Sequence, residues 1–262
     1  MSHSVYRFHA GRLPLLISVP HDGRSVPDDI GRRMTASARA LPDTDWHVAR
    51  LYDFATEFGA SLLVANFSRY VVDLNRPPDD RPLYPGQLAT GLCPTATFSG
   101  LPLYRAGMSV TDDEREERVA RYWRPYHERL ATELARMRDD FGQACLWDAH
   151  SIASRVPSLF DGELPELNLG SHRGRSCGSA ARAAVAAVAE QSDYSFVLDG
   201  RFTGGYITRH YGAPGQGMHA LQLEIAQRAY MDEKSLSYDE DRASRLGATL
   251  KDLLGTFIAQ AR

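Results

Sequence analysis

One run of residues decides the fold, Ala144-Cys145-Leu146-Trp147-Asp148-Ala149, and it leads directly into His150-Ser151. The run is short and apolar and has no helical period, which is typical of a buried strand. We therefore predict a buried strand that ends in polar residues.

Strands and helices alternate along the rest of the chain. Further strands are predicted from short β-rich runs at residues 13–19, 60–67, 70–74, 194–198 and 220–225. Helices are predicted at residues 45–58, 111–137, 176–191 and 239–261. Thr111 and Glu114 form a capping box at the start of the second helix, and Pro125 predicts a kink in it. The alternation predicts one α/β domain over residues 1–262, with a mostly parallel sheet and flanking helices.

The composition excludes several classes of protein. The formal net charge of −3 gives no basic surface for a nucleic acid. No apolar run approaches the roughly 18 residues of a membrane span, and the polar residues 2–4 do not resemble a signal peptide. We therefore expect a cytoplasmic protein that binds neither nucleic acid nor membrane.

The cysteines are Cys93, Cys145 and Cys177, which are widely spaced and odd in number. This pattern argues against a disulfide framework and against a zinc site made of cysteines alone. We expect reduced thiols in or near the core.

A second informative stretch is Arg69-Tyr70-Val71-Val72-Asp73-Leu74-Asn75-Arg76-Pro77-Pro78. It is predicted to place two arginines and an asparagine at a strand end, where open α/β sheets bind ligands. An arginine has a planar fork that suits a carboxylate. The alternative is that both arginines are surface ion-pair partners. Residues 77–108, rich in Pro, Gly and Thr, predict a long loop near this site.

Polar residues also follow or interrupt other predicted strands. His21 and His150 each follow one, and Glu224 lies inside Leu221-Gln222-Leu223-Glu224-Ile225. A buried glutamate is costly unless it is paired or acts as a base. Two histidines and a carboxylate can form a catalytic zinc site with an open position for water. The alternatives are structural, hydrogen-bonded histidines and a Glu224 that pairs with an arginine, and no His-Glu-x-x-His motif is present.

Seven stretches, in this order, resemble those of one enzyme family. The first are Ser18-Val19-Pro20-His21-Asp22-Gly23-Arg24, Asp43-Thr44-Asp45-Trp46-His47-Val48, and Ser68-Arg69 with Asp73-Leu74-Asn75-Arg76-Pro77. The others are Asp148-Ala149-His150-Ser151, Pro165-Glu166-Leu167-Asn168-Leu169-Gly170, Gly204-Gly205-Tyr206-Ile207-Thr208-Arg209 and Gln222-Leu223-Glu224-Ile225. Over most of its length the chain resembles the N-formylglutamate amidohydrolases (N-formylglutamate deformylases) of histidine degradation.

The resemblance implies a fold and a set of site residues. The family looks related to the zinc carboxypeptidases and to the aspartoacylase and succinylglutamate desuccinylase group. This relation implies a three-layer α/β/α, phosphorylase/hydrolase-like fold with a mostly parallel mixed sheet. Those relatives bind zinc through a His-x-x-Glu pair and a distant histidine. The roles implied here are metal ligand for His21 and His150, carboxylate clamp for Asn75 and Arg76, carbonyl polarisation for Arg69 and general base for Glu224.

The middle metal ligand departs from the family pattern. The third position after His21 is Arg24, which cannot bind a metal, so the carboxylate must come from elsewhere. We predict Asp45, with Asp43 and His47 as competitors, and Asp43 also suits a helix N-cap. The expected cofactor is Zn²⁺ or another divalent metal.

The resemblance also implies a small-molecule substrate, N-formyl-L-glutamate, which is hydrolysed to L-glutamate and formate. Its second carboxylate requires another cation, and Arg209, with Tyr206 nearby, is predicted to bind it. Arg201 and Arg173 are alternatives. Two other functions fit the residues, a zinc hydrolase of another N-acyl amino acid or short peptide and a non-catalytic carboxylate-binding protein. The sequence does not indicate an oligomeric state.

Overall fold

The strand predicted at residues 144–149 lies in the middle of the sheet and extends over Ala144–Ile152. The computed structural model describes residues 4–82 and 90–261. Within these residues the main sheet has seven strands, and a separate sheet has two. The strands are β1 (Tyr6–His9), β2 (Leu15–Val19), β3 (Ser61–Ala65), β4 (Ala144–Ile152), β5 (Leu167–Gly170), β6 (Phe196–Leu198), β7 (Met218–Ala226), β8 (Met231–Asp232) and β9 (Ser237–Tyr238).

The main sheet is mixed, with a parallel centre. Its strand order is β1-β3-β2-β4-β7-β5-β6. Strands β3, β2, β4 and β7 are parallel to one another. Strand β1 pairs antiparallel with β3, β5 pairs antiparallel with β7, and β6 pairs parallel with β5. The prediction of a mostly parallel mixed sheet is confirmed.

Helices connect most of the strands. Within the described residues they are α1 (Asp28–Gly31), α2 (Ala36–Arg39), α3 (Val48–Leu51), α4 (Ala55–Phe58), α5 (Asp112–Arg118), α6 (Arg124–Phe141), α7 (Ser179–Glu190), α8 (Tyr206–Tyr211) and α9 (Glu240–Gln260). A π-helical segment, Val119–Trp123, joins α5 to α6, and two 3-10 segments cover Pro214–Gln216 and Gln227–Ala229.

Side chains from β4 enter two separate cores, because successive residues of a strand point to opposite faces. Trp147 belongs to the same buried cluster as Val185 of α7 and Leu250 of α9. Leu146 belongs to a second cluster, which includes Leu130 of α6. Helices therefore cover both faces of the sheet, and the three-layer α/β/α prediction is confirmed.

The strand predicted at residues 70–74 is wrong. These residues form turns after β3, although Val71, Val72 and Leu74 are buried in the second core. Their backbone groups form hydrogen bonds to a loop and to a side chain. Asp73 N donates to Leu92 O at 2.7 Å, and Arg118 Nη1 donates to Val71 O at 2.9 Å. The apolar character of this stretch reflects packing against the core and not strand pairing.

The helix predicted at residues 45–58 is interrupted. It begins only after His47, whose φ of 65° is left-handed, and it breaks at Tyr52 between α3 and α4. Tyr52 is buried, and its hydroxyl accepts a hydrogen bond from Trp147 Nε1 at 2.9 Å. This tertiary contact lies at the point where the predicted helix is interrupted in the structure.

The helix predicted at residues 111–137 is confirmed in outline and continues to Phe141. Thr111 Oγ1 accepts a hydrogen bond from Glu114 N at 3.2 Å, as an N-cap should. The Glu114 carboxylate instead pairs with Arg33 and Arg118. A kink was predicted at Pro125, and the helix is irregular just before it, in the π-helical segment. Pro125 itself occupies the first turn of α6, where proline is tolerated.

Two strands of the sheet were not predicted. In β1 the burial of side chains alternates along Tyr6–His9, and this period of two was present in the sequence. Strand β5 is buried throughout and is only four residues long, so the alternation in Leu167-Asn168-Leu169-Gly170 is too short to indicate a strand. The predicted loop at 77–108 is irregular in its described part, and residues 83–89 lie outside the described residues.

The cysteines match an expectation from the sequence. Cys93, Cys145 and Cys177 are buried and free, as predicted. Within residues 4–82 and 90–261, no helix combines the length and the apolar character needed to cross a membrane.

Packing of α9 on the sheet should contribute strongly to stability. We expect Leu250→Ala to lower the free energy of unfolding by about 2–5 kcal/mol, because Leu250 is fully buried in the first core. Leu101→Ala is the control, since Leu101 is 49% exposed and its truncation should cost less than about 0.5 kcal/mol. Urea unfolding followed by circular dichroism measures both. Equal effects of the two substitutions would contradict this account of α9.

Candidate active site

The site lies at the carboxyl edge of β2, β3, β4 and β7. The chain passes from β2 to β3 on one side and then to β4 on the other side of β2. Such a reversal of strand order leaves a crevice in which α/β proteins bind ligands. His21 follows β2 and His150 lies near the end of β4, and their ring centroids are 4.8 Å apart across this position.

The pairing of β4 with β7 places polar residues on one face. Asp148 is in register with Gln222, and His150 is in register with Glu224. Residues two apart in a strand share a face. The intervening Ala149 belongs to the first core on the opposite face. The alternation of polar and apolar residues in both strands therefore directs this polar group toward the crevice.

His21, Asp45 and His150 form a buried cluster whose candidate ligand atoms lie within 4.8 Å of one another. Asp45 Oδ2 is 3.0 Å from His150 Nδ1 and 3.7 Å from His21 Nδ1. Two backbone contacts fix Asp45, because its N–H donates to His21 O at 3.1 Å and its Oδ2 accepts from Ser151 N at 3.1 Å. The structure thus brings together the three residues predicted as ligands, and their role as ligands stays a prediction.

The second nitrogen of each histidine faces another carboxylate. His21 Nε2 lies 2.8 Å from Asp73 Oδ1, and His150 Nε2 lies 3.1 Å from Asp148 Oδ1. Metal-binding histidines commonly use their other nitrogen in this way, which fixes the ring and its tautomer. His21 Nδ1 is buried and has no hydrogen-bond partner among the described residues. Since buried polar atoms are rarely left unpaired, this nitrogen is available for a ligand.

The charges of the cluster attract a cation. Burial alone would raise the pKa of Asp45, but hydrogen bonds from His150 and His21 lower it. Burial likewise opposes ionisation of Asp73, yet Arg69 and His21 hold its pKa well below the usual value. Burial would lower the pKa of His150, but Asp148 and Asp45 hold it well above its usual range. Ionised carboxylates therefore surround the two imidazoles.

These residues fit a divalent metal. Two imidazoles and one carboxylate are the ligand set of many catalytic zinc sites, and a divalent cation would take the place of the imidazole proton. The carboxylates behind the imidazoles provide the outer contacts that such sites need. The identity of the metal stays a prediction.

A cavity opens beside the cluster, and we call it the site cavity. Its described lining includes His21, His150, Arg69, Arg76, Arg201 and Glu224. Most of the polar residues predicted for catalysis and substrate binding therefore face one space.

Arg69 is held between the cluster and an aromatic ring. Arg69 Nη2 donates to Asp73 Oδ2 at 2.7 Å, and Nη1 lies 3.7 Å from Asp45 Oδ1. Its Cζ is 4.8 Å from the ring centroid of Phe98. The guanidinium is therefore fixed beside the cluster, where it can act on a carbonyl in the site cavity.

Glu224 is a buried carboxylate on the wall of the site cavity, and it is 7% exposed. Its Oε2 accepts a hydrogen bond from Gln222 Nε2 over 3.4 Å. Burial raises the pKa of Glu224 to about 8, and the charge of His150 opposes the rise. A carboxyl group with such a pKa can take up and release a proton near neutral pH.

Asn75 connects the cluster to α8. Its Nδ2 lies 3.0 Å from His150 Nε2 and 3.4 Å from Asp148 Oδ2, and its Oδ1 accepts from Ile207 N at 2.8 Å. A Cβ on Gly205 would come within 2.3 Å of Asn75 Nδ2, so only glycine permits this approach. Asn75 lines the site cavity, but much of its hydrogen-bonding capacity is already used within the protein.

Arg76 is half-buried in the wall of the site cavity. Its Nε donates to Thr90 O at 2.7 Å and its Nη1 donates to Asn75 O at 3.0 Å. Its Nη2 also donates to Thr90 Oγ1 at 3.1 Å, so these bonds hold the guanidinium at the cavity wall, and its role as a carboxylate clamp stays a prediction.

The backbone on either side of Asn75 is held by one side chain of the π-helical segment and one of α6. Trp123 Nε1 donates to Arg76 O at 3.0 Å, and His127 Nε2 donates to Leu74 O at 2.9 Å. Burial lowers the pKa of His127 to about 3, so its imidazole is neutral and keeps this donor role at neutral pH. The turn that carries Asn75 and Arg76 is therefore fixed from outside the site.

The residues predicted to bind a second substrate carboxylate lie in different places relative to the site cavity. Arg201 lines the site cavity, whereas Arg209 and Tyr206 are not among its described lining residues. Arg209 Nε donates to Gly204 O at 2.8 Å, and the side chain of Arg173 is exposed elsewhere. Arg201 is thus better placed than Arg209, and the roles of Arg209 and Tyr206 stay predictions.

The competitors for the middle ligand lie outside the cluster. Asp43 Oδ2 accepts a hydrogen bond from Phe98 N at 2.8 Å, and His47 Nε2 lies 2.9 Å from Leu236 O. Asp43 does not cap the following helix either, since His47 occupies the N-cap position of α3. Among the described residues, the geometry favours Asp45.

Sequence reasoning missed the roles of Asp73, Asp148 and Gln222. Each lies within an apolar stretch, and Asp73 and Asp148 are fully buried. A charged residue in an apolar run was the signal that selected Glu224, and it would have selected both aspartates as well. Gln222 Oε1 accepts from Gly205 N at 2.7 Å, a contact with no local signal in the sequence.

The fold and the site define, as a class, an α/β protein with a polar cavity at the carboxyl edge of its sheet. The family model described as N-formylglutamate amidohydrolase matches residues 13–231. The chain belongs to the N-formylglutamate amidohydrolase family.

Individual relatives are similar over almost their whole length. N-formylglutamate deformylase of Pseudomonas aeruginosa is 53% identical over 260 residues, which cover 98% of this chain and 97% of the relative. The deformylase of Pseudomonas putida is 51% identical over 97% of this chain and 96% of its own length. The crystal structure of N-formylglutamate amidohydrolase from Ralstonia eutropha JMP134 has a TM-score of 0.83 at 25% identity, with 97% of each chain covered.

The carboxylates behind the histidines should govern metal affinity. We expect Asp73→Asn and Asp148→Asn each to weaken Zn²⁺ binding by about 10–100-fold, because the imidazoles lose the partners that orient them. Competition with a chelating dye measures the dissociation constant. The control is Glu133→Gln, which alters a buried carboxylate bound to Ser61 and Arg136, and it should leave the affinity unchanged. Wild-type affinity in both aspartate variants would overturn this assignment.

Proposed function

We propose that this chain is a metal-dependent N-formylglutamate deformylase, which hydrolyses N-formyl-L-glutamate to L-glutamate and formate. The observation that carries the proposal is the His21/Asp45/His150 cluster, in which both histidines turn Nδ1 toward Asp45 and Nε2 toward another carboxylate. The names of the two Pseudomonas relatives support the substrate. The role in histidine degradation and the cytoplasmic location rest on the family resemblance and the sequence, and they stay predictions.

His21, Asp45 and His150 would hold the divalent cation, and the nitrogen and oxygen ligands suit Zn²⁺. When bound there, such a cation would lower the pKa of a water molecule and withdraw electrons from the formyl carbonyl. Asp73 and Asp148 keep the two imidazoles oriented for this purpose.

Glu224 is the general base and then the general acid. Its carboxylate lines the site cavity and is in register with His150 across the β4–β7 pair, which places it near the cluster. It would accept a proton from the attacking water and transfer that proton to the departing nitrogen of L-glutamate. Burial keeps this proton from exchanging freely with solvent.

Arg69 stabilises the negative charge that develops on the formyl oxygen. Its guanidinium is fixed by Asp73 before substrate binds, so no reorganisation is needed during the reaction. A fixed positive charge in a buried cavity stabilises an oxyanion more strongly than the same charge in water.

The two carboxylates of the substrate would meet Arg76 and Arg201, which both line the site cavity. Arginine presents two N–H groups in one plane and matches a carboxylate. The backbone carbonyl of Asn75 would support Arg76, because it accepts a hydrogen bond from Arg76 Nη1. The amide side chain of Asn75, which contacts Ile207 and His150, would present its edge to the substrate.

Glu224→Gln should separate metal binding from proton transfer. We expect the variant to retain its metal and a near-normal KM, with kcat reduced by about 10²–10⁴-fold, because glutamine cannot accept the proton. Steady-state kinetics and metal analysis of the same preparation measure both quantities. His150→Ala is the matched comparison, since it should lose the metal itself. Near-normal turnover in Glu224→Gln would remove Glu224 from the mechanism.

A comparison of substrates that carry different acyl groups tests the function directly. We expect kcat/KM to be highest for N-formyl-L-glutamate in a series with the N-acetyl and N-succinyl analogues. Activity should disappear with a chelator and return with Zn²⁺. Equal or better turnover of the succinyl compound would indicate a different N-acyl hydrolase. A purified protein that carries no metal and turns over none of these compounds, with or without added metal, would indicate a carboxylate-binding protein.

A further inference from the structure

A second cavity adjoins the site cavity, and we call it the side cavity. It has a volume of about 360 Å³, and its lining includes Pro42, Thr44, Val156 and Pro157. Phe98, Ser151 and Ile152 line both cavities. These shared residues therefore form the wall between the two spaces.

The wall stands at the reacting end of the site cavity. Ser151 and Ile152 directly follow the proposed ligand His150, and the ring of Phe98 packs against the guanidinium of Arg69 at 4.8 Å. Arg76 and Arg201 line the site cavity and are not among the described residues of the side cavity. The wall thus lies beside Arg69 and His150, the groups that would act on the carbonyl.

The position of Phe98 is fixed by its backbone. Phe98 lies in a turn between Ala96 and Pro102, which form an antiparallel bridge. Its N–H donates to Asp43 Oδ2 at 2.8 Å, and its carbonyl accepts a hydrogen bond from the hydroxyl of Ser158. These contacts hold the backbone, and the ring itself packs against the apolar cluster of Ile152 and against Arg69, so it forms a boundary of the site cavity.

We propose that Phe98, with Ile152 beside it, restricts the acyl group to formyl by closing the site cavity toward the side cavity. This inference rests on the proposed deformylase function. A formyl group carries hydrogen where an acetyl group carries methyl, and that methyl group has to occupy space next to the carbonyl carbon. Because a methyl group makes no hydrogen bonds, the wall would exclude an acetyl group by lack of room alone. One such group changes kcat/KM by about 10–200-fold in a well-fitted pocket.

Phe98→Ala tests the proposal because it would join the two cavities. We expect the ratio of kcat/KM for N-acetyl-L-glutamate to that for N-formyl-L-glutamate to rise about 10-fold or more. The ratio is the useful quantity, since loss of the contact with Arg69 should lower both rates together. Phe98→Leu should give a smaller rise in the same direction.

The matched control is Phe202→Ala, which removes the same side chain from the lining of the site cavity, although Phe202 packs on the same apolar cluster as Phe98. Phe202 is not among the described residues of the side cavity. Its truncation should leave the acetyl-to-formyl ratio within about twofold of wild type, even if both rates fall. Thermal unfolding by circular dichroism identifies the variants that are folded, and Phe98→Leu replaces Phe98→Ala if the latter is not.

The outcomes separate this inference from the proposed function. If wild type prefers N-formyl-L-glutamate and the folded Phe98 variant keeps the wild-type ratio, Phe98 does not set the limit and the deformylase function stands. An equal rise of the acetyl-to-formyl ratio in Phe202→Ala also overturns the inference, because any enlargement of the site cavity would then be enough to admit the acetyl group. If wild type prefers the acetyl compound, the proposed function fails and the inference fails with it.

Discussion

Buried carboxylates that require positive partners determine how this site is built. Asp45, Asp73 and Asp148 are almost completely removed from solvent. A carboxylate in that environment is costly unless hydrogen bonds or opposite charges surround it. The protein meets this requirement with His21, His150 and Arg69. Because each histidine lies between two carboxylates, the rings have little freedom to rotate, and their Nδ1 atoms are directed to one point.

Supports for this cluster come from several parts of the chain. Asn75 contacts both His150 and the start of α8, and Gln222 Oε1 accepts a hydrogen bond from Gly205 N. Thr208 Oγ1 donates to Asp148 Oδ2 at 3.2 Å, so α8 holds the same aspartate that orients His150. Strand β4 supplies His150 and Asp148, whereas His21, Asp45 and Asp73 come from loops, and a short helix helps to fix their orientation. This division is common in α/β enzymes, where a rigid sheet carries functional groups at its edge.

The lining of the site cavity combines positive charge with apolar surface. Arg76 and Arg201 supply positive charge on its wall, while Phe98 and Ile152 form an apolar boundary beside Arg69 and His150. A substrate with two carboxylates and a small acyl group matches this arrangement. Asp43 has a clear role in this arrangement, because its carboxylate accepts a hydrogen bond from the backbone of Phe98 and does not belong to the His21/Asp45/His150 cluster.

The sequence by itself determined the alternation of strands and helices, the buried strand at residue 144 and the polar residues at strand ends. These are local properties, since the period of apolar residues and the presence of a charge in an apolar run depend on near neighbours. The resemblance to one family added the roles of His21, His150 and Glu224. Only the tertiary structure decided that Asp45 and not Asp43 joins the histidines, that Arg201 and not Arg209 lines the site cavity, and that residues 70–74 are not a strand. Those outcomes depend on contacts between residues far apart in the chain, such as His21 with Asp73 and Asp45 with His150, which no local pattern encodes.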